Sequence, residues 1–264
     1  MLIVVSPAKS LDYSSRLPTR KFTEPTMLDR SSELIDIMVK KTPAEIGNLM
    51  SISPALAALN HERYMDWERP FTRRNARAAL LAFDGDVYDG MNARNSFSER
   101  DFTHAQKTLR ILSGLYGVLR PLDLMMPYRL EMGTKLANPR GSDLYSFWGD
   151  AITDALRNDL DASPGAKVLI NLASNEYFGS VRPARLGVPV VAPTFLDTNT
   201  RGDQKIVSFF AKKARGAMTA WIIKERLTSA KALREFEGLG YRFDPVRSCA
   251  ARPVFVRDPH APAE

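Results

Sequence analysis

The chain has 264 residues, of which 44% are hydrophobic and 25% charged, the composition of a soluble globular protein of one large or two small domains. Cys249 is the only cysteine, so an intramolecular disulfide is excluded and a reducing compartment is the simplest home. Against 30 Asp+Glu the chain carries 37 Lys+Arg, a net charge of +7, which favours polyanionic partners only where it gathers on one surface.

The opening "MLIVVSPAKS" has no basic lead-in and meets a proline at once, unlike a secretory signal. No later segment approaches the ~20 apolar residues of a membrane helix, and the expected location is the cytoplasm. Leu2–Val5 is a short buried-strand candidate that stops at Ser6-Pro7. Thr42-Pro43-Ala44-Glu45 has the form of a capping box with proline at the first helical position. Ser53-Pro54 restarts a helix in the same way, so residues 42–60 form two helices joined only by Ser51-Ile52.

Farther on, "ALLAF" and "TLRILSGLYGVL" read as buried elements broken by Gly114 and Gly117. Helices are expected over residues 98–106 and 143–160. "KVLINLAS" and "VPVVAPTFL" read as core strands, the second closed by Pro193. "KIVSFF" reads as a strand running into a helix over 208–222, and "ALREFEGLGYRFD" as a helix, a glycine stop and a strand. Residues from Asp258 onward are expected to fray. Strands and helices mix without steady βαβ alternation, so the expected fold is a single α+β domain over about residues 1–257, a mixed sheet with surrounding helices.

In the 208–222 helix, Phe210, Ala214, Ala217 and Trp221 fall on one face as a core stripe, with Lys212 and Arg215 opposite. Lys213 lies on the border, where its stem covers apolar surface and its ammonium reaches out. Lys9 follows the first strand, Arg120 precedes a proline, and Arg129 sits between Tyr128 and Leu130. A cation in an apolar, turn-marked loop needs an anion. Asp12, Asp123 and Glu131 are the internal candidates, and a polyanion facing a cleft is the external one.

Several chemistries lack their signatures. "SPAKS" has no glycines to wrap phosphates, so it is not a Walker loop. Asp84, Asp86 and Asp89 in "DGDVYDG" lack EF-hand spacing. His61, His104 and His260 stand alone, so neither a metal nor a cofactor is expected. Ser6 and Ser174 have no assignable base and there is no nucleophile elbow.

Taken together, "SPAKSLDY", "NARAALLAFDGDVYDG", "LRILSGLYGVLRPLDLMMPYRLEMG", "LYSFWGD", "INLASNEYF" and "SFFAKKARG" resemble the peroxide stress resistance protein YaaA family, from residue 1 to about 217. The resemblance implies a cytoplasmic bacterial protein that responds to hydrogen peroxide and lowers free iron, limiting Fenton damage. It also implies one compact α+β fold that binds DNA through a basic cleft and a helix-hairpin-helix element. Carried onto this chain, the cleft cations are Lys9, Arg120, Arg129, Lys212, Lys213 and Arg215. The helix pair at 42–60 takes the hairpin's place, its second helix opening at Ser53 and Lys40 and Lys41 flanking the first. Such elements offer helix N-terminal amides to phosphates without reading bases. The chain departs from the pattern in having Met50-Ser51-Ile52-Ser53, without glycine, between the two helices.

Two readings follow. In one the protein binds duplex or distorted DNA, independently of sequence, through these cations. In the other it is an enzyme acting on a phosphorylated or nucleotide-like small molecule, with Ser6, Tyr128, Glu131, Asn171, Ser174 and Glu176 in the same cleft. Direct iron chelation draws no support from so few and scattered histidines.

Overall fold

A computed structural model describes residues 1–199 and 202–257. The tail from Asp258, with His260, lies outside the described residues. Five strands form the central sheet: β1 (Leu2–Val5), β2 (Leu109–Ser113), β3 (Gly117–Leu119), β4 (Leu169–Leu172) and β5 (Val190–Val191). Their order is β3-β2-β1-β4-β5. β1 is parallel to both neighbours, with Val5 opposite Ile111 on one side and Leu172 on the other. All four residues of β1 are buried, as expected of a strand covered on both faces. β3 turns back antiparallel to β2, with Gly117 at φ +67° in the left-handed region that glycine enters without strain.

A second sheet contains β6 (Thr194–Thr198), β7 (Gln204–Lys205), β8 (Tyr241–Phe243) and β9 (Val254–Arg257), in the order β7-β6-β9-β8. The single strand expected in "VPVVAPTFL" is therefore two. Pro193 has no N–H for a ladder, and the chain leaves one sheet at Val191 and enters the other at Thr194. Of the "KIVSFF" segment only Lys205, the end of β7, is strand, and the helix begins at Ser208. β9 was not anticipated from the sequence. It pairs in parallel with β6, and Phe195 stacks on Phe255 with ring centroids 5.5 Å apart. Side chains from both sheets belong to one hydrophobic cluster.

The longer helices are α1 (Leu28–Met38), α2 (Pro43–Met50), α3 (Pro54–Met65), α4 (Asp86–Met91), α5 (Glu99–Thr108), α6 (Ala151–Ala162) and α7 (Ser208–Lys224). The 42–60 segment folds as its caps dictate. Both halves of the Thr42/Glu45 capping box form, Ser53 caps α3, and Ser51 turns the chain at φ 52°. Residues 143–160 are not one helix: Gly149, at φ 51°, separates Leu144–Trp148 from α6. The "ALREFEGLGYRFD" segment holds only short 3-10 turns before β8.

The stripe expected on α7 also needs correction. Ala214 is buried, but Phe210, Ala217 and Trp221 are only half-buried, whereas Ala211, Gly216, Met218, Ile222 and Ile223 are buried. The cause is α4, which lies against the face expected to be solvated. A Cβ on Gly216 would fall under 3.0 Å from the Val87 carbonyl oxygen, and one on Gly90 equally close to the Lys213 carbonyl. Two glycines thus allow helix backbones to meet. None of the described helices is long and apolar enough to cross a membrane.

Candidate functional site

From β1 the chain moves to β2 on one side, then returns past β1 to β4 on the other. β1 and β4 therefore flank a topological switch point, where the loops after the strands' carboxyl ends diverge and leave a crevice. A cavity of about 470 Å³ occupies this place. The segment after β1 supplies Ser6 and Lys9, the segment after β4 supplies Ser174, Glu176 and Tyr177, the 84–88 turn supplies Asp84, Asp86 and Tyr88, and α7 closes it with Lys212 and Arg215.

Hydrogen bonds fix the floor. Ser6 Oγ accepts from the Ser174 amide at 2.8 Å and donates to Ser174 Oγ at 3.2 Å. Ser174 in turn caps the short helix Asn175–Phe178, and the Tyr88 hydroxyl donates to the Ser6 carbonyl at 3.1 Å. Glu176 Oε1 accepts from the Gly133 amide at 2.9 Å. Among the described residues no hydrogen bond joins either serine hydroxyl to a basic side chain; the two hydroxyls bond each other.

The anticipated cations divide sharply. Lys9 and Arg129 both bind Glu131, at 2.8 and 3.0 Å, so a single carboxylate neutralises part of each. Arg129 is further held through its carbonyl, which accepts from the Tyr64 hydroxyl of α3. Lys212 binds Asp86 at 3.2 Å. Arg120 binds the buried Asp123 at 2.9 Å and does not line the cavity. Burial pushes the Asp123 carboxyl up, against the pull of Arg120. Lys213 also lies off the cavity, its ammonium 4.8 Å from the centre of the Phe209 ring.

Arg215 differs from the rest. It is half-buried at the cavity wall and forms no ion pair among the described residues. Burial lowers the pKa of its guanidinium; water is withdrawn and no carboxylate replaces it. A cation so placed calls for an anion from outside. The exposed pairs are weaker constraints. The Lys9 and Lys212 side chains are 64% and 50% exposed, and such pairs contribute about 0–1 kcal/mol, little enough for a phosphate to displace.

Of the residues anticipated for a small-molecule cleft, Ser6, Ser174 and Glu176 line the cavity. Glu131 stands behind Lys9. Asn171, in β4, bonds its own chain, its Oδ1 accepting from the Ala173 amide at 3.0 Å. Tyr128 is buried in the core, bonded to Ser113 Oγ at 2.6 Å. Asp84, Asp86, Tyr88 and Tyr177 went unrecognised as lining residues; the only signal was the clustering of acids at the Gly85 turn. The three lining cations Lys9, Lys212 and Arg215 face the three carboxylates Asp84, Asp86 and Glu176, so the cavity is bipolar rather than uniformly basic.

The α2–α3 pair presents a second concave surface, of about 570 Å³, lined from Pro43 and Gly47 to Ser51 and Pro54. Ser53 is exposed where α3 begins, and the first turn of α3 carries no acid. Lys40 is exposed and Lys41 half-buried just before α2, and neither forms an ion pair among the described residues.

The lining of the switch-point cavity thus comes from the same stretches of chain that drew the resemblance. A family model described as Peroxide stress protein YaaA matches residues 1–247, which takes in the central sheet, the cavity and α7. The chain belongs to the peroxide stress protein YaaA family.

Proposed function

We propose that this peroxide stress protein works in the cytoplasm by holding DNA through its phosphates, independently of base sequence, and so limits iron-driven damage to it. The observation that carries this reading is the acid-free start of α3 beside the concave surface of the helix pair, with Lys40 and Lys41, which form no ion pair among the described residues, just before α2. The Ala55 amide, which neither Pro54 nor the Ser53 cap removes from the first turn, and lysines without ion-pair partners engage phosphate oxygens and leave base edges untouched. The surplus of +7 supplies long-range attraction. Lys9, Lys212 and Arg215 act as secondary contacts, because two of the three must first leave a carboxylate.

The test is fluorescence anisotropy of a labelled duplex with wild-type protein and the Lys40→Glu/Lys41→Glu variant. The variant should weaken binding to unrelated sequences alike. Unchanged affinity in the variant, or no binding by the wild type at low salt, contradicts the proposal.

The partnerless Arg215 in the walled cavity favours a second reading, in which the protein is an enzyme acting on a phosphorylated or nucleotide-like small molecule at the switch point. Affinity for inorganic phosphate that disappears in Arg215→Met is its first requirement.

A further inference from the structure

The lining of the switch-point cavity prescribes the shape of its occupant. Arg215 needs an anion, and Lys212, one turn earlier on α7, holds Asp86 only through a half-exposed contact of 3.2 Å. A doubly charged group can draw on both cations, and a phosphate monoester carries about −1.5 to −2 at neutral pH. The other carboxylates ask for the opposite chemistry. Glu176, which lines the cavity, spends Oε1 on the Gly133 amide, and neither it nor Asp84 forms an ion pair among the described residues. Carboxylates with no cation beside them accept from hydroxyls, as an acidic residue does from ribose at other switch points. The volume of about 470 Å³ lies in the range of small-molecule sites, and the buried Tyr88 and Tyr177 form part of its wall.

We propose that the cavity binds a free ribose 5-phosphate unit, as in a nucleoside 5′-monophosphate, with Arg215 holding the phosphate and Glu176 the ribose hydroxyls. The proposal rests on the second reading above and adds the ligand class and its direction. Charged hydrogen bonds to a partly buried guanidinium make Arg215 the main anchor. Glu176 is the specificity determinant, since inorganic phosphate has no ribose hydroxyl to offer it.

Calorimetric titration of the full chain with adenosine 5′-monophosphate, ribose 5-phosphate, inorganic phosphate and adenosine tests this. The two ribose phosphates should bind more tightly than phosphate, and adenosine should not bind. Arg215→Met should weaken the ribose phosphates by about tenfold or more. Glu176→Gln keeps the acceptor for Gly133, so the fold is preserved. It should weaken the ribose phosphates several-fold and leave phosphate unchanged. If neither phosphate nor the nucleotide binds, the second reading falls with the inference. If phosphate binds but ribose 5-phosphate binds no better, or Glu176→Gln changes nothing, the anion site stands and the ribose assignment is overturned. Full affinity in Arg215→Met overturns it as well.

Discussion

Replacing Gly216 with alanine strikes the contact that gives the site its shape. The added methyl would lie under 3.0 Å from the Val87 carbonyl oxygen of α4. That obstacle is backbone, fixed in a helix, and cannot rotate aside, so α4 and α7 must separate. Overpacking of this kind costs about 3 kcal/mol at the upper end of its usual range, and alanine's better helix propensity returns about 1. The net loss of about 2 kcal/mol corresponds to a melting temperature lower by roughly 4–8 °C in a chain of this length. Gly47→Ala in α2 is the control. Its methyl meets Ala57 Cβ and the Ile52 oxygen at 3.5 Å, an ordinary contact, so the propensity gain stands alone and melting should rise by about 2–4 °C. Thermal unfolding followed by circular dichroism reads both. A Gly216→Ala protein that melts at or above wild type refutes the claim that these helices meet backbone to backbone.

Two further outcomes follow from the charged groups. Burial alone would raise Asp12, but hydrogen bonds from Ser15, Ser14 and Arg94 outweigh it and hold the carboxyl well below the usual carboxylate range. A depressed folded-state value contributes stability above the unfolded value of about 3.9 and loses it as pH falls toward the folded one. Asp12→Asn should therefore be less stable than wild type at pH 7, and the difference should shrink in acid; a difference independent of pH contradicts this. Glu131→Gln releases Lys9 and Arg129 together, so duplex affinity at low salt should rise several-fold. Equal affinity would mean that Glu131 does not restrain these cations.

What the sequence made legible was local. β1 is a run of four apolar residues ended by Ser6-Pro7, and the α2–α3 caps are spelled by Thr42, Glu45 and Ser53, whose bonds span three residues. The pairing of Arg129 with Glu131 was available in the same way, two residues apart. Contacts between distant segments were not legible. Nothing near "SFFAKKARG" announces that α4 will cover its polar side, because that depends on Gly90 and Gly216 meeting across the fold. For the same reason Lys212 finds Asp86, and Arg215 is left without an acid. Pro193 was recognised as a stop, but only the second sheet, closed by the unforeseen β9, shows what it separates.

The most direct measurement is the salt dependence of duplex binding. Each phosphate contact should contribute about −0.9 to the slope of log affinity against log salt. A slope near −2 to −4, reduced by about two units in Lys40→Glu/Lys41→Glu, is the result expected of a surface that reads phosphates. Affinity indifferent to salt, or a slope unchanged when both lysines are reversed, would contradict it.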